Sequence, residues 1–301
     1  MFDEEAKEIV RNEFKSLKIC KSALEKIFRY GELLYEMTGE PREFFGCLVK
    51  PKTQKDDLVS EIYLPFNTES TVSRVRFNPI SDFIRNKELK LLGYEMLGEF
   101  HYHGIFPARP SSRDEEERSR ILHSTSLIKF YPRKIIFEGI FTQTFRKDGK
   151  INLKTNSNFL DEIELHFTER KIPYLRKLYP YLNKLLKKIG LGSLSFENRM
   201  KKARFRVSLN LGICYAYNMI LNNQREIYSE IIYYPICPAC GPSKISFEKI
   251  KLEVVDDSKR INESELREIL KERVIYAASR IQQKIRELDE KERMFIWSKY
   301  I

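Results

Sequence analysis

The chain has 301 residues, 42% of them hydrophobic and 32% charged, with a net charge of +11; that is enough apolar material for a full core and for two domains. No uninterrupted apolar run approaches the ~18 residues that cross a membrane, and the acidic start Met1-Phe2-Asp3-Glu4-Glu5 lacks the pattern of a signal peptide, so a cytoplasmic protein with no membrane span is expected. Five irregularly spaced cysteines exclude a secreted disulfide framework.

Residues Asp3 to Met37 have helical spacing, broken near Ile19 and stopped at Gly39-Glu40-Pro41. Phe44 to Val49 and Leu58 to Pro65 read as short strands, Val72 to Phe77 as another, and Ile80 to Leu91 as a helix. A strand follows from about Tyr94 to His103, then a loop marked by Gly104, Pro107 and Pro110. Ser111 or Ser112 can cap the next helix, with Asp114 and Glu115 placed as in a capping box, and that helix ends near Thr125. Strands are predicted over Lys134 to Thr144, Ile151 to Leu153 and Asp161 to Phe167. Helices and strands interleave, so the class is α/β or α+β. The texture then changes, which places a boundary between residues 167 and 168, with a basic C-terminal domain over 168–301. Beyond it come a basic helix (Tyr174 to Ile189), a glycine hinge (Gly190 to Ser193), and a mixed stretch from Ala203 to Tyr234 that resists assignment. Ile245 to Val255 alternates as a strand, and Glu263 to about Lys291 reads as one long amphipathic helix capped by Asn262.

The most informative segment runs Gly98-Glu99-Phe100-His101-Tyr102-His103, seven residues, then Ser111-Ser112-Arg113-Asp114. On a strand, residues i and i+2 share a face, so both imidazoles can aim at one point and the loop can bring Asp114 to it. Two nitrogens and one oxygen around an open fourth position are the ligand set of a catalytic zinc site rather than a structural one. Singly, each residue also has an ordinary reading. His101 and His103 suit an exposed strand face, Asp114 suits a first helical turn, and Ser111 suits an N-cap. Glu99 shares the strand face of the histidines and is a candidate for orienting an imidazole. His123 and His166 read as ordinary helix and strand residues.

Taken together, Gly98, His-x-His, seven residues, Ser, two residues and a helix-opening Asp resemble the JAMM signature of the MPN (Mov34/Pad1/JAB) metalloprotease family. The resemblance extends upstream, where Ile19 to Leu34 and Glu40 to Val49 look like that family's opening helix and its Glu-x-x-Gly-x-Leu strand. It covers roughly residues 19–155. It implies a curved mixed β-sheet flanked by helices, and one Zn2+ per chain held by His101, His103 and Asp114. It further implies Glu43 as general base and Ser111 as hydrogen-bond donor to the developing oxyanion. The implied reaction is hydrolysis of peptide or isopeptide bonds, and the implied partner is a ubiquitin-like protein or its conjugates. By position alone, Glu43 is equally a solvated glutamate near Glu36 and Glu40. Two departures stand out: Tyr102 fills a place where the family usually has a small residue, and Gly104 replaces a proline often found after the second histidine.

Between Thr168 and Arg206, twelve Lys or Arg face two Glu, so ten of the eleven excess positive charges lie there. Arg170, Lys171, Arg176, Lys177, Lys184, Lys187 and Lys188, interleaved with tyrosines, suit contacts with nucleic acid or with an acidic protein. They equally suit a solvated helix face with Leu175, Leu178, Leu182 and Leu185 turned inward. Cys237-Pro238-Ala239-Cys240 is half of a zinc-ribbon knuckle with no second pair, and a turn without metal is an equal reading. The expectation is a JAMM-type zinc metallopeptidase. The alternatives are a non-catalytic MPN-type scaffold and a nucleic-acid-binding protein acting through residues 168–206.

Overall fold

The structure is a computed structural model, and it describes residues 2–73, 75–76, 79–125, 127–143, 150–154, 160–168, 184, 201–237, 241–242 and 244–290. In chain order the elements are α1 (Phe2–Glu13), β1 (Ser16–Cys20), α2 (Lys21–Thr38), β2 (Phe44–Pro51), β3 (Leu58–Val59), β4 (Glu61–Tyr63), β5 (Glu69–Ser70) and β6 (Val75–Arg76). Next come α3 (Pro79–Leu91), β7 (Tyr94–Tyr102), α4 (Ser112–Thr125), β8 (Leu127–Gln143), β9 (Lys150–Lys154) and β10 (Leu160–Thr168). The remainder is β11 (Lys201–Leu221), β12 (Ile227–Cys237), β13 (Gly241–Pro242), β14 (Ser246–Lys249), β15 (Lys251–Val255), α5 (Glu263–Leu270), a π-helical turn (Lys271–Ile275) and α6 (Ala277–Glu287). Parallel and antiparallel pairings coexist, so the protein is a mixed-sheet α+β fold.

Two compact units interleave along the chain: Met1–Leu127 with Cys214–Tyr234 and Lys244–Ile301, and Ile128–Ile213 with Pro235–Ser243. In the first unit, β2 runs antiparallel to β7 and to β4. The other edge of β7 pairs in parallel with the end of β11, from Tyr217↔Gly98 to Leu221↔Tyr102. Every residue of β2 from Phe44 to Lys50 is buried, as expected of a strand covered on both faces. On one face, Phe44 stacks on Tyr102 at 4.9 Å between ring centroids, and α2 closes over them through Tyr30. The Tyr102 ring lies where a Cβ on Gly31 would come within 2.3 Å of it, so the bulky Tyr102 is accommodated by a glycine on the opposing helix. The opposite face of β7 meets α3 and α4 and carries the candidate site. A second sheet, β15-β1-β3, is wholly parallel. Phe66, Ile84, Ala277 and Ile281 form a separate apolar cluster joining α3 to α6. Apart from the helical Lys184, the described part of the second unit is strand-built, with β10 antiparallel to β9 and to the start of β11.

Four expectations change. Ser16–Cys20 is a strand, not a break between helices, because it sits between β15 and β3 and pairs with both. The boundary at 167/168 gives way to interleaved units, because β11 pairs with β7 and β15 with β1. The unassigned stretch Ala203 to Tyr234 is taken up by two long strands, β11 and β12, and the turn over 222–226 that joins them. The long C-terminal helix is capped by Asn262 but interrupted by the π turn, where the Tyr276 N–H reaches back to the Lys271 carbonyl. Arg273 in that turn is held by Glu88 at 2.8 Å and by the Tyr63 hydroxyl at 2.7 Å. Arg170, Lys171, Arg176, Lys177, Lys187 and Lys188 lie outside the described residues; Lys184 is helical and exposed. Among the described residues, no helix is long and apolar enough to cross a membrane.

Candidate metal centre

His101 and His103 project from the end of β7, and Asp114 comes to them from the first turn of α4. The helix start is a reciprocal capping box. The Asp114 N–H donates to Ser111 Oγ at 3.3 Å, and the Ser111 N–H donates back to Asp114 Oδ2 at 2.7 Å. Asp114 is therefore fixed by the local sequence before it meets either histidine. His101 Nδ1 then lies 2.7 Å from Asp114 Oδ1, and His103 Nε2 lies 3.5 Å from Asp114 Oδ2. The two imidazoles meet edge to face, 4.6 Å between centroids. His103 Nδ1 is 3.0 Å from the Pro107 carbonyl, which can only accept, so Nδ1 carries the proton and Nε2 faces the carboxylate.

One ligand atom from each of the three residues lies within 4.8 Å of the others, close enough for them to hold a metal ion. The 3.5 Å between His103 Nε2 and Asp114 Oδ2 matches the ~3.4 Å edge of a tetrahedron with ligands at ~2.0–2.2 Å. A second observation fits the same use. Among the described residues, His101 Nε2 is buried with no hydrogen-bond partner, and Glu43 Oε2, at 3.6 Å, is too far to serve as one. A buried polar atom left so is costly unless something else takes it.

Electrostatics bind the group together. Burial alone would lower the His101 pKa, but the bond to Asp114 and the nearby Glu43 outweigh it and raise the ring to about 9. Burial alone would raise Asp114, yet contacts with His101, His103 and Ser111 hold it well below the usual carboxylate range. Glu43 is buried just ahead of β2, with its N–H on the Thr71 carbonyl at 2.7 Å and its carbonyl accepting from Ser70 Oγ at 2.5 Å. A cleft of about 680 Å3 opens onto Glu43, His101, His103, Ser111 and Asp114, with Phe106 and Arg109 also lining it.

The structure thus gathers His101, His103, Asp114, Glu43 and Ser111 around one cleft. The Ser111 hydroxyl itself donates to Asp114 Oδ2 at 2.6 Å. Glu99 differs from expectation, because it makes no hydrogen bond to an imidazole. Its oxygens take Arg120 at 2.9 and 2.5 Å and Arg85 at 3.3 Å, since both guanidiniums descend onto that strand face from α4 and α3. Gly104, which follows the second histidine, has φ +58, a left-handed conformation closed to proline. The loop therefore leaves the strand by a route that the common proline would forbid. Sequence reasoning missed Arg85, Arg120 and Ser70, which bear on the site only through contacts between elements distant in the chain. Cys237 ends β12, and Cys240 lies outside the described residues. His123 is an exposed helix residue, its Nδ1 2.6 Å from the Ser119 carbonyl.

Fold and site together define an α+β protein with a two-histidine, one-aspartate group able to hold a metal ion. No family model matches this chain. No curated protein compared with it matches either. Among solved structures, the solution structure of protein DSY2949 from Desulfitobacterium hafniense is similar over 80% of this chain and 93% of its own, with 12% identity and a TM-score of 0.33. Likeness at that level assigns no chemistry, and the site stands on its own geometry.

Proposed function

We propose that this chain is a zinc-dependent hydrolase of the JAMM type, cleaving peptide or isopeptide bonds in a ubiquitin-like protein or its conjugates. The observation that carries this reading is the convergence of His101, His103 and Asp114 on one cleft, with the carboxylate of Glu43 facing His101 Nε2. His101, His103 and Asp114 would hold one Zn2+, and the donor set of two nitrogens and a carboxylate oxygen suits that ion. Zinc, when bound, would supply Lewis-acid polarisation of the scissile carbonyl and a water acidified to near neutrality. Glu43 would take the proton from that water and return it to the leaving amine, which a carboxylate bound by no arginine or lysine among the described residues can do. The Ser111 hydroxyl would reorient from Asp114 toward the developing oxyanion, a contribution of ~3 kcal/mol for a well-placed donor.

The test is metal analysis of the purified protein beside His101→Ala and Asp114→Ala, paired with cleavage of a ubiquitin-like protein bearing a C-terminal fluorogenic amide. The expected result is about one equivalent of zinc in the wild type, lost together with cleavage in both variants. Less than about half an equivalent in the wild type, unchanged in the variants, overturns the reading.

A further inference from the structure

The loop from His103 to Ser111 carries the exposed Ile105 and Phe106, yet its backbone is held from outside by the turn between β11 and β12. The His103 N–H donates to the Leu221 carbonyl and the Asn223 N–H to the Gly104 carbonyl, both at 2.8 Å. Asn222, 1% exposed, does the most. Its Oδ1 closes its own turn, accepting from the N–H groups of Gln224 at 3.1 Å and Glu226 at 3.0 Å. Its Nδ2 donates to the Phe106 carbonyl at 3.1 Å and to Glu226 Oε2 at 2.7 Å. That same Glu226 oxygen lies 3.5 Å from the Ala108 N–H.

These contacts bracket one peptide group. The Pro107 carbonyl, which orients His103 through Nδ1, belongs to the same peptide plane as the Ala108 N–H. Asn222 holds the preceding carbonyl directly and holds the Ala108 N–H through Glu226. A carbonyl in a loop can rotate away from an imidazole unless its neighbours are tied, and here both are tied to one buried side chain.

We propose that Asn222 is a positioning residue for the metal centre, setting the Pro107 carbonyl that orients His103. This rests on the reading of His101, His103 and Asp114 as a zinc site. Asn222 bonds none of the three; it acts through the loop. Partners that fix the second nitrogen of a ligating histidine typically matter by about 10- to 100-fold in metal affinity.

The experiment uses Asn222→Asp, which keeps the oxygen that closes the turn and removes the amide donor, and Glu226→Ala, which leaves Asn222 in place and releases the Ala108 N–H. Zinc affinity is measured by chelator competition on the full chain. The visible spectrum of the Co2+-loaded protein reports ligand geometry, and thermal unfolding of the metal-free protein reports fold. Expected is a loss of affinity of roughly ten-fold or more in Asn222→Asp, a smaller loss in Glu226→Ala, and a changed cobalt band in both, with the metal-free proteins still folded. Zinc affinity within about two-fold of wild type and an unchanged cobalt band overturn the proposal while leaving the zinc reading intact. If Asn222→Asp does not fold, Glu226→Ala decides alone by the same two readouts. A wild type that binds no zinc overturns both the zinc reading and this one.

Discussion

Two buried glutamates flank His101, and the fold treats them in opposite ways. Glu99, two residues back on β7, is enclosed by Arg120 and Arg85. Burial alone would raise its pKa, but the two guanidiniums outweigh that and hold it below its ordinary value. Glu43, at the entrance to neighbouring β2, has its backbone fastened by Ser70 and Thr71, while its carboxylate faces His101 Nε2 at 3.6 Å. Both are fixed in place, Glu99 through its oxygens and Glu43 through its main chain. A carboxylate whose oxygens are taken by arginine is held in its ionised form and offers little to a travelling proton, whereas one held by its backbone keeps its lone pairs for that task. Rigidity and chemical availability are thus separated within a few residues of one sheet.

Three substitutions test that contrast. Glu43→Gln should keep its zinc and lose about 10²- to 10⁴-fold in kcat/KM, read by metal analysis beside steady-state cleavage. Unimpaired cleavage would move the base elsewhere and break the contrast. Glu99→Gln should take from buried Arg85 and half-buried Arg120 the charge they share, leaving them Asp82 and Glu117, and cost ~2–3 kcal/mol in urea unfolding, with cleavage per folded molecule nearly kept. Lost cleavage at intact stability would exchange the roles of the two carboxylates. Ser70→Ala removes the hydroxyl bound to the Glu43 carbonyl and should cost ~1 kcal/mol of stability. It should also lower kcat by roughly ten-fold or less while KM and zinc content hold. A raised KM with kcat unchanged would mean that Ser70 shapes the cleft instead of holding Glu43.

What could be read from the chain alone was local. The period of two that puts His101 and His103 on one face, and the three-residue step from Ser111 to Asp114, are properties of a strand and a helix start, and both were visible in the sequence. The mixture of helix and strand was visible for the same reason. Glu43 was legible only through resemblance, since nothing in its own neighbourhood distinguishes it from Glu36 or Glu40. Asn222 was not legible at all, because it meets Phe106 across 116 residues. The same holds for Ser16–Cys20, a five-residue segment that passes for part of a helical stretch until β15 and β3 are seen beside it. Arg273 sits in an amphipathic pattern that never breaks, and the turn opens only where Glu88 and Tyr63 capture its guanidinium.

The parallel pairing of β7 with β11 also sets an order in time. During synthesis His101, His103 and Asp114 leave the ribosome early, when β7 has β2 on one edge and nothing on the other. That edge stays bare until Tyr217–Leu221 emerge. The carbonyl that receives the His103 N–H and the turn that fastens the following loop arrive in the same stretch of chain. Sealing the sheet and seating the second histidine are therefore a single late event. Were the site to hold a metal ion, a nascent chain meeting that ion sooner would offer it loose ligands beside an open strand edge.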